Sequence, residues 1–315
     1  MQTDKKHWSQ YTEAGTLLGI RFLFACYKIG GRALFQVLLS PVIAYFFLFR
    51  TENRHASIDY LKRIQGLKPH LTHRSLAILS IKHFWSFGNA INDKLAVWTG
   101  KITRENSTSH RDDIIKKLIR EKRGCIMLIS HLGNFEITRV LSSTHKTLQL
   151  TVLMHTKQAE NFNKVLEELQ DGLPIEVLQV SEITPATAMI LSERLAKGNF
   201  IAISGDRTAI DNPNNNFNIP FLGEEANFSK GPFTLAAILK APLISICCLK
   251  DKQHYNIYFD EISPCVDVSR KQRETTTRKL AEKYVKTLES YCLEKPLQWF
   301  NFYHFWAKQH SGEQQ

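Results

Sequence analysis

A histidine and a glutamate, His131 and Glu136, stand five positions apart in "LISHLGNFEI", residues 128–137. An imidazole that a carboxylate orients can take a proton from an alcohol, and such a general base speeds a reaction by typically ~10²–10⁴-fold. Side chains five apart in one continuous α-helix point about 140° away from each other. The pair can therefore act together only if the chain changes structure between the two residues.

The residues around the pair indicate such a change. The apolar run 125–129 is typical of a buried strand in a parallel sheet. Gly133 and Asn134 supply a turn and an N-cap for a helix that starts near Phe135. His131 would then lie at the carboxyl end of a strand, where open α/β sheets bind ligands. Glu136 would lie in the first helical turn, where the helix dipole favours a carboxylate.

The remaining pattern alternates between strands and helices. Helical spacing of apolar residues predicts helices within 57–99, a further helix that Thr184 and Pro185 begin and Gly198 ends, and a basic helix over about 270–293. Further strands are predicted at 148–154, 176–180, 200–204, 243–249 and 255–262. This alternation indicates an α/β fold with a mostly parallel central sheet flanked by helices.

Composition narrows the class of partner. The formal charge of +11 points to an anionic partner, whether phospholipid, nucleic acid or an acidic carrier protein. No nucleic-acid recognition motif is present, so we expect no nucleic-acid partner. Six cysteines without CxxC spacing argue for a reducing compartment and against a zinc site or a disulfide framework.

The N-terminal region is apolar and flanked by basic residues. Its longest charge-free part, residues 33–49, holds 17 residues, whereas a spanning helix needs ~20 apolar residues. It lacks the features of a cleaved signal peptide. We predict a membrane-associating helical N-terminus over residues 1–55, peripheral or a single anchor, and an α/β domain over 56–315. The alternative is a pair of amphipathic helices packed on the protein's own core.

Several separated motifs together resemble one known family. They are "HW" at 7–8, "HLGNFE" at 131–136, "SGDR" at 204–207, "PFLGEEANFSKGPFTLAAILKAPLI" at 220–244 and "PLQWFNFYHFW" at 296–306. In this order they resemble the lipid A late acyltransferases, a family that also includes mycobacterial phosphatidylinositol mannoside acyltransferases. The resemblance implies a glycerolipid-acyltransferase-like fold with a mixed sheet. It also implies transfer of a fatty acyl chain from an acyl carrier protein or coenzyme A thioester to a hydroxyl of a membrane glycolipid.

The resemblance also assigns roles to individual residues. His131 would be the general base and Glu136 the acid that orients and charges it. Asp206 would order the site, and Arg207 would contact a phosphate or thioester oxygen. The alternative for this pair is a capped strand-to-loop turn.

Two more residues are candidates for substrate binding. Asn134 is either the helix N-cap or a substrate contact. Lys157 follows another predicted strand, at a place where more distant glycerolipid acyltransferases carry an arginine.

The expected reaction needs no covalent intermediate. The chain has no GxSxG nucleophile elbow, so we predict direct attack of an acceptor hydroxyl on the thioester, with no cofactor and no metal. The predicted place of action is the cytoplasmic face of the bacterial inner membrane, in lipid A and lipopolysaccharide biosynthesis. Two alternatives stay open: a membrane-bound thioesterase or lipid hydrolase that activates water with the same dyad, and a non-catalytic membrane-binding protein.

Overall fold

The computed structural model describes residues 17–138, 149–154, 175–179, 184–208 and 213–306. Within this part, a seven-stranded sheet and a separate two-stranded hairpin form the β-structure. The strands are β1 Ser107–His110, β2 Cys125–Ile129, β3 Leu150–Met154, β4 Ile175–Gln179, β5 Phe200–Ser204, β6 Asn216–Phe221, β7 Glu224–Ser229, β8 Leu243–Asp251 and β9 His254–Ser263.

The large sheet has the order β1-β9-β8-β2-β5-β3-β4. Its neighbouring strands run parallel except β8 and β9, which form an antiparallel pair. The predicted fold, mixed and mostly parallel, is therefore confirmed. The register of β2 and β5 pairs Ile129 with Ser204. The residues that follow these two strands consequently emerge side by side at the carboxyl edge of the sheet.

Helices cover both faces of the sheet. One apolar layer includes Leu61 of the second helix and Tyr284 of the last one, and the other includes Leu118 and Phe200. The α-helices are α1 Leu17–Phe49, α2 Thr51–Leu67, α3 Leu76–Trp98, α4 Asp113–Arg120, α5 Pro185–Ala196, α6 Gly231–Ile238 and α7 Arg273–Glu294. The sheet is thus buried on both sides, which explains why β2 and β5 are continuous apolar runs.

The long helix α1 has two different faces. Tyr27, Phe35 and Leu39 are buried and form an apolar cluster with residues of α3. On the opposite face, large apolar side chains are exposed: Ile29, Leu34, Val37, Val42, Tyr45, Leu48 and Phe49. The segment Ile29–Phe49 is long and apolar enough to cross a membrane. One face of the predicted membrane segment therefore packs on the protein, and the other is available to lipid.

The predicted signals for α5 are confirmed. The Thr184 side chain accepts a hydrogen bond from the main-chain N–H of Thr187 at 3.2 Å, and Pro185 is the first helical residue. Gly198 follows the helix with a φ of +83°, a conformation that glycine adopts without steric cost.

Two local features differ in detail from the sequence-based expectation. The helix expected from Phe135 begins as a 3₁₀ turn, Phe135–Thr138, and its continuation over 139–148 lies outside the described part. Residues 216–221 form strand β6, which is not among the predicted strands. Its side chains alternate between buried and exposed, as in a half-buried strand. Leu222 and Gly223, both with positive φ, make the tight turn to β7.

We expect Gly133→Ala to destabilise the protein by more than about 3 kcal/mol. Gly133 has a φ of +73°, and a Cβ there would overlap the carbonyl oxygen of Cys248. Gly100 also has a positive φ, +70°, but a Cβ there meets nothing within 4 Å. Gly100→Ala is therefore the matched control, with an expected cost of about 1–2 kcal/mol. Equal losses in urea unfolding would show that the approach to Cys248 imposes no constraint.

Candidate active site

His131 and Asp206 form the centre of the site. Each lies just past the carboxyl end of its strand, His131 after β2 and Asp206 after β5. Each oxygen of the Asp206 carboxylate makes one hydrogen bond with His131. Oδ1 lies 2.9 Å from the ring Nδ1, and Oδ2 accepts the main-chain N–H at 2.7 Å. Asp206 therefore fixes both the position of the backbone and the orientation of the imidazole.

The Asp206 carboxylate is fully buried and receives further donors. The Ser204 hydroxyl donates to Oδ1 at 3.0 Å, and the Trp299 indole N–H donates to Oδ2 at 2.9 Å. Burial alone would raise the pKa of Asp206, but the charge and hydrogen bonds of His131 and the nearby Arg207 lower it below its usual value. Asp206 is consequently an anion at neutral pH.

The protonation of His131 follows from this partner. An ionised carboxylate only accepts hydrogen bonds, so Nδ1 carries the ring proton and Nε2 presents a lone pair. Burial and the Arg207 guanidinium lower the pKa of His131, although Asp206 raises it. The neutral ring is thus the form present at neutral pH. The side chain is 38% exposed, so an alcohol or water can reach it. This arrangement is that of a general base.

Arg207 lies next to the pair. Its Nη1 donates to the Asn301 side-chain oxygen at 2.8 Å, and its guanidinium lies 4.9 Å from the centre of the Tyr303 ring. Two residues of the C-terminal segment, residues 296–306, thus fix this cation beside His131, where it could stabilise a negative oxygen. Its predicted contact with a phosphate or thioester oxygen stays a prediction.

A buried network behind Trp299 supports the carboxylate. His83 on α3 donates from Nε2 to the Trp299 carbonyl at 2.8 Å. Because its pKa is lowered to about 4, mainly by burial, His83 is neutral and its Nδ1 accepts from the Ser57 hydroxyl at 3.0 Å. Ser80 in turn donates to Ser57 at 2.9 Å. Helices α2 and α3 are thereby connected to the indole that binds Asp206.

Sequence reasoning missed this support. Trp299 lies in the aromatic end "PLQWFNFYHFW", which carried the family resemblance but received no role. The segment also donates the Phe300 N–H to the His131 carbonyl at 2.8 Å, and Leu132 makes an antiparallel bridge to Trp299. A buried tryptophan whose N–H needs an acceptor was the available signal.

The structure adds a second carboxylate to the predicted pair. Asp206 binds the His131 ring at Nδ1, because the adjacency of β2 and β5 brings it there. Glu136 lies in the 3₁₀ turn Phe135–Thr138. Its role as the acid that orients and charges His131 stays a prediction.

The remaining candidates for the site are Asn134, Lys157 and a metal ion. Asn134 is not an N-cap: its side-chain NH₂ donates to the Ala90 carbonyl at 3.0 Å, and its Oδ1 has no hydrogen-bond partner within the described ranges. Lys157 lies outside the described residues. Among the residues that the structure describes, no three His, Cys, Asp or Glu side chains are grouped so that they could hold a metal ion.

Residues 1–308 match the family model for bacterial lipid A biosynthesis acyltransferase. A search of curated proteins gave no match.

We expect Asp206→Asn to lower the pKa of His131. The aspartate raises this pKa by its charge and its hydrogen bond, while burial and Arg207 act in the opposite direction and stay in the variant. The imidazole signals of histidine-labelled protein in an NMR titration report the change. An unchanged or raised pKa of His131 would contradict the electrostatic role of Asp206.

The lowered pKa of His83 predicts that the protein loses stability in mild acid. Its folded pKa of about 4 lies below the unfolded value of ~6.5, so the unfolded chain binds the extra proton between these values. Stability should therefore fall as the pH is lowered from 6.5 to 4, by roughly 3 kcal/mol from this group. His83→Gln should flatten this part of the stability profile, whereas His70→Gln, at an exposed position, should not. Parallel profiles for wild type and His83→Gln would refute the assignment.

Proposed function

Because the chain belongs to the bacterial lipid A biosynthesis acyltransferase family, we propose that it moves a fatty acyl chain from a thioester donor to a hydroxyl of a lipid A-like membrane glycolipid. The donor is an acyl carrier protein or a coenzyme A thioester. The observation that supports this reaction best is the buried Asp206 carboxylate that holds His131 as a neutral base with Nε2 available.

The proposed chemistry is a single direct transfer. His131 Nε2 accepts the proton of the acceptor hydroxyl while the hydroxyl oxygen attacks the thioester carbonyl carbon. The imidazolium that forms is stabilised by Asp206, as in other histidine–carboxylate pairs. When the tetrahedral intermediate collapses, the carbon–sulfur bond breaks and the thiolate takes the proton from Nε2. An ester and a free thiol result, and His131 returns to its neutral form.

The remaining site residues are assigned to substrate. Arg207, fixed by Asn301, is placed to bind the negative oxygen of the intermediate or a substrate phosphate. Glu136, in the 3₁₀ turn that follows the His131 loop, is assigned as a second carboxylate whose charge would favour the imidazolium. Asn134 and Lys157 are retained as substrate contacts.

Membrane association follows from the described surface of α1. Its exposed apolar face, the basic net charge and the lipid acceptor together suit a protein that works at a membrane surface. We place it at the cytoplasmic face of the inner membrane, where acyl carrier protein and coenzyme A thioesters are present. The positive surface would also attract an acidic carrier protein.

Transfer assays with three variants test the mechanism. His131→Ala should lower the rate of ester formation by about 10²–10⁴-fold, because the base is lost. Asp206→Asn should have a comparable effect, because Nδ1 loses its acceptor and the ring its tautomer. Glu136→Gln should cost less than Asp206→Asn. The measurement is mass spectrometry of the acceptor lipid after incubation with acyl-carrier-protein or coenzyme A thioester.

The transfer assays have one control variant and two outcomes that would contradict the mechanism. Lys279→Gln, an exposed substitution on α7, should match wild type. Full activity of His131→Ala would remove the base from the mechanism. Release of free fatty acid at equal rates with and without acceptor would identify a thioesterase instead.

A further inference from the structure

A cavity lies beside the loop that carries His131. It has a volume of about 490 Å³ and is lined by residues of α1, α3, the β8–β9 turn and the C-terminal segment. Gly133 and Asn134, which follow His131 by two and three residues, form part of its wall. The cavity therefore shares the carboxyl edge of the sheet with the His131–Asp206 pair.

Basic side chains dominate the charged lining. Arg32, Lys82, Lys250 and Lys252 line the cavity together with a single carboxylate, Asp93. The carboxylate is buried, and it is occupied by two of these cations: Lys250 Nζ lies 2.5 Å from Oδ2, and Arg32 Nη2 lies 3.7 Å from Oδ1. The lining consequently carries a net positive charge.

The other two cations of the lining, Lys82 and Lys252, can bind a ligand. Lys82 and Lys252 are exposed, and neither makes an ion pair with any residue in the described part of the chain. Lys252 lies in the β8–β9 turn, with a φ of +56°, and lines the cavity. Two like charges that form no ion pair, beside a third and a fourth, favour an anionic ligand.

Arg32 marks the boundary between the charged and the charge-free parts of α1. Arg32 is the last charged residue before the charge-free stretch 33–49 of α1. Aromatic side chains, Trp85 and Phe300, line the same cavity. A basic residue at the end of an apolar helix, near a tryptophan, is typical of the membrane–water interface.

We propose that this cavity binds a phosphate group of a substrate while the acyl chain is transferred at His131. The inference rests on the proposed function for its role, and it adds a binding site separate from Arg207. The group that is recognised is a phosphate monoester or diester, which ammonium and guanidinium groups bind through charge-assisted hydrogen bonds. It belongs either to the glycolipid acceptor or to the thioester donor.

The choice of variants follows from the ion pairs. Lys250 and Arg32 are left intact, because removing either partner of the buried Asp93 would destabilise the fold as well as change the charge of the cavity. Lys82→Gln and Lys252→Gln, alone and combined, remove only exposed charges. Lys279→Gln on α7 removes an equal charge away from the cavity lining and is the matched control.

Phosphate binding is measured first without catalysis. Inorganic pyrophosphate is titrated against the full chain carrying His131→Ala in detergent, and ³¹P NMR reports the bound fraction. Each lysine substitution should weaken binding by about tenfold and the double variant by about 100-fold, while Lys279→Gln should have no effect. Equal affinities for the double variant and its parent would overturn the proposed site, whether or not the protein is an acyltransferase.

Kinetics then identify the source of the phosphate. If it belongs to the acceptor, the double variant should raise the KM for a phosphorylated glycolipid at least tenfold and leave that for its dephosphorylated form unchanged. If it belongs to the donor, the KM for the thioester should rise instead. Unchanged values for both substrates would overturn the role in transfer. A wild-type protein that forms no ester refutes the proposed function, and the pyrophosphate titration still decides the site.

Discussion

A single buried carboxylate organises the centre of this protein. Asp206 is removed from water, and an isolated ion in that position would cost several kcal/mol or more unless donors replaced the lost hydration. Four donors do so: the backbone and ring of His131, the Ser204 hydroxyl and the Trp299 indole. They come from β2, β5 and the C-terminal segment. The same bonds that allow the charge to be buried therefore bring these three parts of the chain together and orient the base.

Further contacts connect the Asp206 carboxylate with helices α3 and α1. Trp299 is held by His83 of α3, and α3 packs against the buried face of α1. A continuous set of contacts thus connects the reacting edge of the sheet with the helix whose other face is apolar and exposed. The apolar helix α1 and the His131–Asp206 pair are thus connected through one structural element, α3, which also lines the basic cavity through Lys82 and Trp85.

Much of this arrangement could be predicted from sequence. β2 and β5 were located because strands buried on both faces are uninterrupted apolar runs. Asp206 was expected to order the site, and it binds His131. The order of strands was not available, however, and only that order shows that β5 is the neighbour of β2 although β3 and β4 separate them in the chain. The contact between Asp206 and the His131 ring could not be predicted for this reason. Strand β6 was missed because its exposed positions are asparagine and proline, residues that are depleted in strands.

The late position of Trp299 has a consequence for biosynthesis. The indole that completes the Asp206 site lies 93 residues further along the chain than the carboxylate it binds. At roughly 5–20 residues per second, the ribosome needs several seconds to make that interval. During this time the apolar helix α1 has already left the ribosome and can reach the bilayer, while His131 and Asp206 lack their final donor. The set of donors around Asp206 is therefore complete only after synthesis of the C-terminal segment, whereas the apolar face of α1 is available to a bilayer earlier.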